Sequence, residues 1–580
     1  MLNPIQIVQI DQDLCCKEYG TTNACGTCNA TATNKCYNTF ATCKSVADYS
    51  LGDPLTLSFT QGQSDQPDDI YAIPSLLNVS TQPAKINVGS RAGREAPLGR
   101  RPVITITLQD HAHSDFYVDP YLADRTFNPM DRSTFWSKWL TRNPYFFGRP
   151  LRLIDGYVGE AVGSMSTRNY IIDKITLPDS KGVVTITATD ALLSISDDKQ
   201  QCPRLSTGRL ISDITSGDTS IAIEQGDLAD YNSYPTNLLR INDEIITYTG
   251  ITDGGSGLLT FTGCTRGTNN TTADAQKAGD TVQACMEYTL ERPDTILIDL
   301  LETFGDLPAA AVDETGIVSE GDTWLNSYTA SRIISAPTGV TQLIGELCEQ
   351  SNIYVWWDDE AAKVKAKVIS PAQGTVPLVT DADNIIQNSV SIQEYPDQRA
   401  SEVWVSYIPR TPIADEKETD YRRTNAIIDS VSSSAFSYGA RQVYNVIAKW
   451  IDSETVASLL AYRMLLRFSS TPQQITFSTD IKDDFALGDI IDINTSQFVD
   501  ESGERQTIRH QIISKKKLGS SVVQYVAMKY EYSSSQKYGF YTVDAAPIYS
   551  LATDAEKATG AWWAEDDGTV DGVDFGYSYI

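Results

Sequence analysis

Apolar and polar residues alternate along much of this chain, with the period of two that is typical of strands with one buried face. The pattern is clearest in "RPVITITLQDH", in "KGVVTITATD" and in "QQITFSTD". Such alternation predicts antiparallel sheets or barrel-like domains with an apolar inner face. We therefore expect two β-rich domains, over residues 51–204 and 385–545.

A few segments instead show the period of an amphipathic helix. "RSTFWSKWLTRN" predicts a short helix between strands, and "RPDTILIDLLETFG" and "TGVTQLIGELCEQ" predict helices within an α+β domain over residues 289–384. The strongest helix is predicted for "DSETVASLLAYRMLLRF", with Ser453 as its N-cap. Its apolar face comprises Val456, Leu459, Leu460 and Met464.

Residues 205–288 have the short strands and the Gly, Asn and Asp turns of a small all-β insertion domain. Within it, "LLRINDEIITYTGI" is predicted as one strand. A cysteine-rich segment over residues 1–50 and a tail over residues 546–580 complete the domain organisation. The predicted fold class is mainly β with some α (α+β), in several domains.

The charge of the chain changes this picture by limiting its partners. Its 580 residues carry a formal net charge of −29, which repels nucleic acid and anionic membranes. No signal peptide and no run of about 18 apolar residues is visible. We therefore expect a protein that is made in a reducing cytoplasm.

Cysteine usage is the most unusual feature of the sequence. Six of the ten cysteines lie in one short stretch: Cys15, Cys16, Cys25, Cys28, Cys36 and Cys43. In a reducing compartment, clustered thiols favour a metal or cofactor over disulfides. Only Cys25 and Cys28 have the close spacing of a zinc knuckle, and the wider spacings suit a larger cluster. Disulfides or free thiols remain the alternative.

The quoted motifs "DLCCKEYG", "NAC" and "KCYNTFATCKS" resemble the N-terminal signature of tail hub proteins of siphophages and gene transfer agents, which are baseplate-hub or tail-tip proteins. That signature has the approximate form D-x-x-C-x-x-x-Y-G-x-x-P-C-x-A followed by K-C-F/Y-N-T-x-x-T-C-Q-D. In this chain Ala24 replaces the proline and Lys44-Ser45 replace Gln-Asp. "RINDEIITYTG" and "GCTRGTNNTTADAQKAGDTV" also resemble a small β module that is inserted in many tail and baseplate proteins.

The resemblance implies an iron–sulfur cluster, of the 4Fe-4S type, with zinc as the alternative. The implied ligands are Cys15, Cys25, Cys36 and Cys43. Cys16 and Cys28 are extra cysteines, and either one can replace its neighbour as a ligand. The implied role of the cluster is structural, because it fixes a chain end that has little regular structure.

The resemblance also implies a non-enzymatic virion protein in the tail tip or baseplate. Such hubs are homotrimers that join the hexameric tail tube or distal tail protein to the tip or central fibre. They surround the path of the tape measure protein and of DNA, which passes without specific binding. An acidic lining would keep DNA from adhering.

Other classes of function have weaker support in the sequence. His111 and His113 are spaced to share one face of a strand, but no third zinc ligand is identifiable, so hydrogen-bonded histidines are the simpler interpretation. The lysine run "SKKKLG" is predicted to protect a strand edge. The alternative function is a secreted or surface carbohydrate-binding protein or hydrolase that contains disulfides.

Overall fold

Strands dominate the structure. This computed structural model describes residues 3–62, 67–87, 98–196, 200–326, 328–370, 372, 375–413, 417–518 and 522–531. They form several separate sheets with few helices, which confirms the predicted mainly-β, multi-domain fold class. The predicted tail, residues 546–580, lies outside the described residues.

The first part of the chain builds an eight-stranded sheet in the order β5-β4-β1-β8-β9-β10-β7-β6. In β7, Ile104, Ile106 and Leu108 are fully buried and alternate with half-buried residues, as the sequence predicts. The elements of this part, including a small hairpin of β2 and β3, are β1 (Pro4–Gln12), β2 (Thr22–Asn23), β3 (Gly26–Thr27), β4 (Leu55–Thr60), β5 (Ala72–Ile73), β6 (Leu76–Gln82), β7 (Val103–Gln109), α1 (Phe135–Arg142), β8 (Pro150–Tyr157), β9 (Ser166–Ile175) and β10 (Val183–Thr189).

Helix α1 covers the apolar face of this sheet and confirms the helix predicted there. Trp136 stacks on Phe59 with ring centroids 5.3 Å apart. Trp139 donates a hydrogen bond from Nε1 to Oε1 of Gln12 at 2.9 Å, so its one polar atom is satisfied although the ring is buried. The helix thereby fixes the neighbouring loop, which carries side chains that hold the cysteine-rich segment.

The insertion forms two four-stranded sheets, in the orders β12-β13-β17-β16 and β18-β15-β14-β19. Its elements, after the short strand β11 (Gln201–Cys202), are β12 (Arg209–Leu210), β13 (Ser220–Glu224), α2 (Leu228–Asn232), β14 (Leu238–Ile241), β15 (Glu244–Thr247), β16 (Gly250–Gly255), β17 (Leu258–Thr262), β18 (Thr265–Thr268) and β19 (Val282–Ala284). The prediction of one strand in "LLRINDEIITYTGI" is wrong. The chain turns at Asn242-Asp243, where Asn242 has φ 49°, and β14 and β15 form a hairpin.

A buried ion pair holds the second of these sheets together. The guanidinium of Arg266 binds the carboxylate of Glu244 through two hydrogen bonds, of 2.7 and 2.6 Å. The same carboxylate accepts from Nε2 of Gln276 and from the backbone N–H of Gly267. Burial would raise the pKa of Glu244, but the hydrogen bonds from Arg266 and Gln276 lower it overall. The pair explains why the motif of this module contains both Glu244 and Arg266.

The middle of the chain contains three of the seven α-helices of the described residues. Its elements are β20 (Met286–Glu291), α3 (Pro293–Asp299), α4 (Glu314–Trp324), β21 (Ala330–Ile334), β22 (Thr338–Gly339), α5 (Val340–Ser351), β23 (Ile353–Asp358) and β24 (Lys363–Val368), with a π-helical turn at Leu300–Phe304. The apolar face predicted in "RPDTILIDLLETFG" is buried throughout, and Cys348 of α5 lies in the core. This core is continuous with that of the insertion.

The last part of the chain forms a six-stranded sheet, β25-β31-β32-β33-β30-β26, and a three-stranded sheet, β28-β27-β29. Helix α7 is the predicted long helix, and Val456, Leu460 and Met464 are buried while Leu459 is half-buried. The elements are β25 (Leu378–Thr380), β26 (Ser391–Glu394), β27 (Glu402–Pro409), β28 (Tyr421–Ile428), α6 (Ser430–Ser433), β29 (Val443–Ala448), α7 (Glu454–Phe468), β30 (Gln473–Asp480), β31 (Ile490–Val499), β32 (Arg505–Leu518) and β33 (Val522–Lys529).

Short 3₁₀ turns connect these elements. They lie at Phe40–Thr42, Val46–Asp48, Leu122–Asp124, Pro129–Asp131, Val162–Ser164, Ala191–Ser196, Ala309–Ala311, Pro396–Gln398 and Glu418–Asp420.

The segment at residues 84–86 joins the eight-stranded and six-stranded sheets. The N–H of Ile86 donates to the carbonyl of Ile513 at 2.9 Å, and Ser514 Oγ donates to the carbonyl of Ala84 at 2.7 Å. The crossing segment pairs with β32 at Ile513 and Ser514, just before the lysine run, and β33 pairs with the lysines themselves. Among the described residues, no strand pairs with Lys515–Lys517 on the side away from β33, which agrees with the prediction that the run lies at a strand edge.

Both large sheets have free outer strands. Their pairing orders begin and end at different strands, and no pairing among the described residues closes either sheet on itself. None of the helices in the described part of the chain is long and apolar enough to cross a membrane.

The Glu244–Arg266 pair yields a stability prediction. Glu244→Ala should destabilise the insertion by about 3–5 kcal/mol, because it leaves a buried guanidinium without its carboxylate. Hydrogen exchange of the strand amides in the insertion measures the effect. The control is Glu224→Ala, which removes an exposed carboxylate from β13 and should change stability by less than about 0.5 kcal/mol. Equal effects of the two variants would show that the pair is not what stabilises the module.

Candidate functional site

The cysteine-rich segment has little regular structure, and hydrogen bonds between distant residues fix its path. The N–H of Cys15 donates to the carbonyl of Asn38 at 2.7 Å, and the N–H of Cys16 donates to the carbonyl of Ser50 at 2.9 Å. The start of the segment is thus tied to its end. Cysteines that are far apart in sequence are thereby brought to one side of the molecule.

Two of the six cysteines form a disulfide. Cys16 and Cys25 are bonded, with their Cα atoms 6.0 Å apart, which is ordinary for a disulfide. The chain also passes close to Cys16 at Gly52, where an added Cβ would lie 2.8 Å from the Cβ of Cys16. Cys25, one of the ligands that the sequence predicts, is therefore oxidised in this structure and is not a free donor.

The other four cysteines of the segment, Cys15, Cys28, Cys36 and Cys43, are free thiols. Cys36 is buried, and the other three are half-buried. Burial raises the pKa of its thiol, and the neighbouring thiols Cys43, Cys28 and Cys15 raise it further, while a hydrogen bond from Asn38 opposes them. Three of the four predicted ligands, Cys15, Cys36 and Cys43, are thus free thiols in this structure, and Cys28 is the fourth free thiol of the segment.

Aromatic side chains surround these thiols. Tyr19 and Cys36 are buried in one small apolar cluster against which Cys28 packs. Burial raises the pKa of Tyr19, with a further contribution from Cys36. Burial also raises the pKa of Tyr49, and Asp13 and Cys15 add to it. The surroundings of these thiols are therefore partly shielded from water, which suits sulfur ligands.

The free thiols can be compared with the ligand arrangement that a bound metal ion requires. Among the described residues, no three His, Cys, Asp or Glu side chains are close enough to hold one metal ion. Thiolates are the ligands of iron–sulfur clusters and of structural zinc. The chemistry of the four free thiols suits either group, but their arrangement in this structure is not that of a site for a single ion.

A stacked tyrosine docks the segment onto the first sheet domain. The ring of Tyr37 lies between the guanidinium groups of Arg125 and Arg142, whose central carbons are 4.1 and 3.9 Å from the ring centroid. Arg125 also donates to the carbonyls of Lys35 and Cys36, at 2.7 Å each. These contacts hold the chain on both sides of Cys36.

Buried carboxylates orient the two arginines. Asp119 pairs with Arg125 at 2.7 Å, and Asp115 pairs with Arg142 at 2.7 Å and with Lys138 at 2.7 Å. Burial would raise the pKa of Asp115, but hydrogen bonds from His113, Lys138 and Arg142 lower it strongly overall. No local pattern in the sequence predicts this network, because its members come from the loop after β7 and from α1.

The residues between Cys36 and Cys43 each have a structural task. Asn38 adopts φ 54°, a left-handed conformation that asparagine tolerates. Thr39 Oγ1 donates to the carbonyl of Arg142 at 2.8 Å, and Thr42 Oγ1 accepts from the N–H of Tyr37 at 3.0 Å. The motif "KCYNTFATC" is therefore a turn that presents two cysteines while it binds the domain beneath.

The two nearby histidines lie outside the cysteine site. They follow β7 in a loop, not in a strand as their spacing predicts. Nδ1 of His113 accepts from the N–H of Asp115 at 3.0 Å, and the rings of His111 and His113 both pack against Phe135. Their contacts agree with the simpler interpretation of hydrogen-bonded and packed histidines.

Comparison with known proteins gives distant likenesses only. No protein-family model and no curated protein matches the chain. Among solved structures, it is similar to the 43 kDa tail protein of prophage MuSo2 from Shewanella oneidensis, at 8% identity and a TM-score of 0.35, covering 78% of this chain and 98% of that one.

Two further structures show similarity of the same order. A tail protein from Neisseria meningitidis MC58 has 9% identity and a TM-score of 0.37, covering 78% of this chain and 96% of that one. A chain of the virion of a native gene transfer agent particle has 9% identity and a TM-score of 0.29, covering 58% of this chain and 91% of that one. These TM-scores are too low to carry an argument about function.

The stacking of Tyr37 yields a prediction about the docking of the segment. Arg125→Ala removes one stacking cation, worth about 0.5–2 kcal/mol, together with two hydrogen bonds to the backbone. Amide hydrogen exchange at residues 35–39 should become about tenfold faster or more. Arg132→Ala is the matched control, because Arg132 stacks on Phe127 in the same loop system. If both variants leave exchange unchanged, Arg125 does not hold the segment.

Proposed function

We propose that the chain is a non-enzymatic structural protein of a phage-type tail, namely the trimeric hub of the tail tip or baseplate. The observation that carries the proposal is the cysteine-rich segment itself. Its "KCYNTFATC" turn is bound to the first sheet domain by Tyr37. The segment has four free thiols, and three of them raise the pKa of the fourth, Cys36. This is an elaborate arrangement for a segment that contributes little to the core.

The ligands that we propose for an iron–sulfur cluster are Cys15, Cys28, Cys36 and Cys43. Cys28 replaces the predicted Cys25, because Cys25 is bonded to Cys16. A cluster bound to these four sulfur atoms would supply a rigid cross-link between the two ends of the segment. The buried setting of Cys36 beside Tyr19 suits such a structural role.

The proposed site of action is the virion tail, with three copies around a central passage. The two large sheets form one connected body through residues 84–86, and three such bodies would present six similar surfaces to a hexameric tube. The proposed partners are the distal tail protein or tube, the tape measure protein and the tip or central fibre protein. The net charge of −29 favours passage of DNA without adhesion.

The disulfide favours one alternative function. A covalent Cys16–Cys25 bond is the kind of cross-link found in secreted proteins. A secreted carbohydrate-binding protein or hydrolase would use the remaining cysteines in further disulfides or leave them free. The iron content of the purified protein separates this alternative from the hub.

Single cysteine variants test the ligand set. Wild-type protein purified without oxygen should contain about four irons per chain and show a broad visible absorption band. Cys28→Ser and Cys36→Ser should each lose most of the iron, because each removes one of four ligands. The double variant Cys16→Ser, Cys25→Ser is the control and should keep it. Iron that is lost with Cys25→Ser but kept with Cys28→Ser would restore the ligand set predicted from the sequence.

The assembly proposal predicts a trimer in solution. Native mass spectrometry of the full chain should show three copies, and class averages from electron microscopy should show a threefold axis around an open passage. A protein that remains monomeric at every concentration tested, with its iron content intact, would contradict the hub proposal and leave the cluster proposal standing.

A further inference from the structure

A cleft at the junction of the two large sheets has a charge opposite to that of the chain as a whole. Its volume is about 460 Å³, and it is lined by Lys85, Arg100 and Lys516 together with neutral polar side chains. None of its described lining residues is an Asp or a Glu. In a protein with 75 acidic and 46 basic residues, three cations without a lining carboxylate are unusual.

The strand register explains how these side chains come together. Thr476 pairs with Val526, Val526 with Ser514, Ser514 with Lys85, and Lys85 with Arg100. Residues paired across neighbouring strands point to the same face of a sheet. One row of side chains therefore runs across both sheets and ends in two cations.

Alternation along β32 adds the third cation. Lys515 and Lys517 point to the opposite face, where Lys515 pairs with Asp484 at 2.6 Å and Lys517 lies 3.6 Å from Asp155. Lys516 lies between them and lines the cleft beside Gln524, its partner on β33. Two lysines of the run thus have carboxylate partners, and the third faces the cleft.

The contacts of the other two cations are to neutral oxygens. Lys85 Nζ lies 3.3 Å from Oε1 of Gln474, and Arg100 Nε donates to the carbonyl of Pro83 at 3.3 Å. Burial lowers the pKa of Lys85, and the charge of Arg100 lowers it further. An added anion would offset both effects, so the cleft is suited to bind carboxylates.

The chain itself contains a suitable carboxylate donor. It has two runs of three consecutive acidic residues, 358–360 and 565–567. The first run is already engaged: Asp358 pairs with Lys365, Asp359 accepts from the hydroxyl of Tyr170, and Glu360 lies 4.0 Å from Lys515. The second run, Glu565-Asp566-Asp567, lies beyond the described residues and has the charge that the cleft requires.

The point where the described chain ends favours this donor over an external one. The chain continues beyond Glu531, only five residues after Val526 of the cleft-lining strand β33. The 34 residues from Glu531 to Glu565 span on the order of 100 Å when extended, which is ample for a return to the cleft. A tethered ligand of this kind has an effective concentration in the millimolar range. We infer that the cleft between the two sheets binds the acidic run Glu565-Asp566-Asp567 of the same chain.

Zero-length carbodiimide cross-linking of the full-length protein tests this inference. An equimolar mixture of unlabelled and ¹⁵N-labelled protein is cross-linked and analysed by mass spectrometry. We expect Lys85 and Lys516 to be joined to residues 565–567 within single chains, and we expect 1 M salt to abolish these links because it reduces the Debye length to about 3 Å.

Adjacent lysines provide the matched variants. Lys516→Gln should lower the yield of the link from Lys85 to the acidic run by about threefold or more, because it removes one of three attracting charges. Lys515→Gln, which neutralises the neighbouring lysine on the other face, should leave the yield unchanged. Reversing the charges of both partners should restore the link. The variant for this test combines Lys85→Glu and Lys516→Glu with Glu565→Lys, Asp566→Lys and Asp567→Lys.

Three results would overturn the inference. They are an absence of these links in wild type, links that join only labelled to unlabelled chains, and an equal loss of yield in Lys515→Gln and Lys516→Gln. The second result would assign the cleft to a neighbouring copy. Inorganic phosphate at 10 mM, added to the same reaction, tests whether the cleft is a general anion site. If it is, phosphate alone would suppress the link as fully as 1 M salt does.

Discussion

The placement of the cysteine-rich segment depends on the stacking of Tyr37 between Arg125 and Arg142. After β1, the segment has only a hairpin of two-residue strands and two 3₁₀ turns, so its own backbone cannot determine its shape. Stacking against two cations replaces the missing secondary structure, and the buried carboxylates of Asp119 and Asp115 keep those cations in position. The position of Cys36 follows from this docking, because Cys36 adjoins Tyr37 in the chain and its carbonyl accepts from Arg125.

Local patterns predicted much of the fold. The alternation in β7 and the helical period of α1 and α7 are strong signals, because burial of one face is all that they require. The hairpin of β14 and β15 was missed because its two turn residues interrupt a nearly continuous apolar run. The pairing of β32 with the crossing segment was also missed, since Ala84 lies about 430 residues before Ser514 in the chain.

The candidate site, like the fold, has a part that the sequence predicts and a part that it does not. The sequence places Cys15, Cys36 and Cys43 among the candidate ligands, and all three are free thiols in the structure. The sequence cannot decide between Cys25 and Cys28, because that choice depends on which thiol reaches Cys16 after the chain has folded. The supporting arginines and carboxylates come from the loop between β7 and α1 and from α1 itself, and nothing in their local sequence marks them as neighbours of a cysteine.

The crossing segment at residues 84–86 has a mechanical consequence. Lys85 is bridged to Arg100 on one side and to Ser514 on the other, so a single stretch of backbone belongs to both sheets at once. A rotation of one sheet about its own axis must turn the other with it or break these hydrogen bonds. A torque applied to one sheet is therefore transmitted to the other through the backbone hydrogen bonds around Lys85.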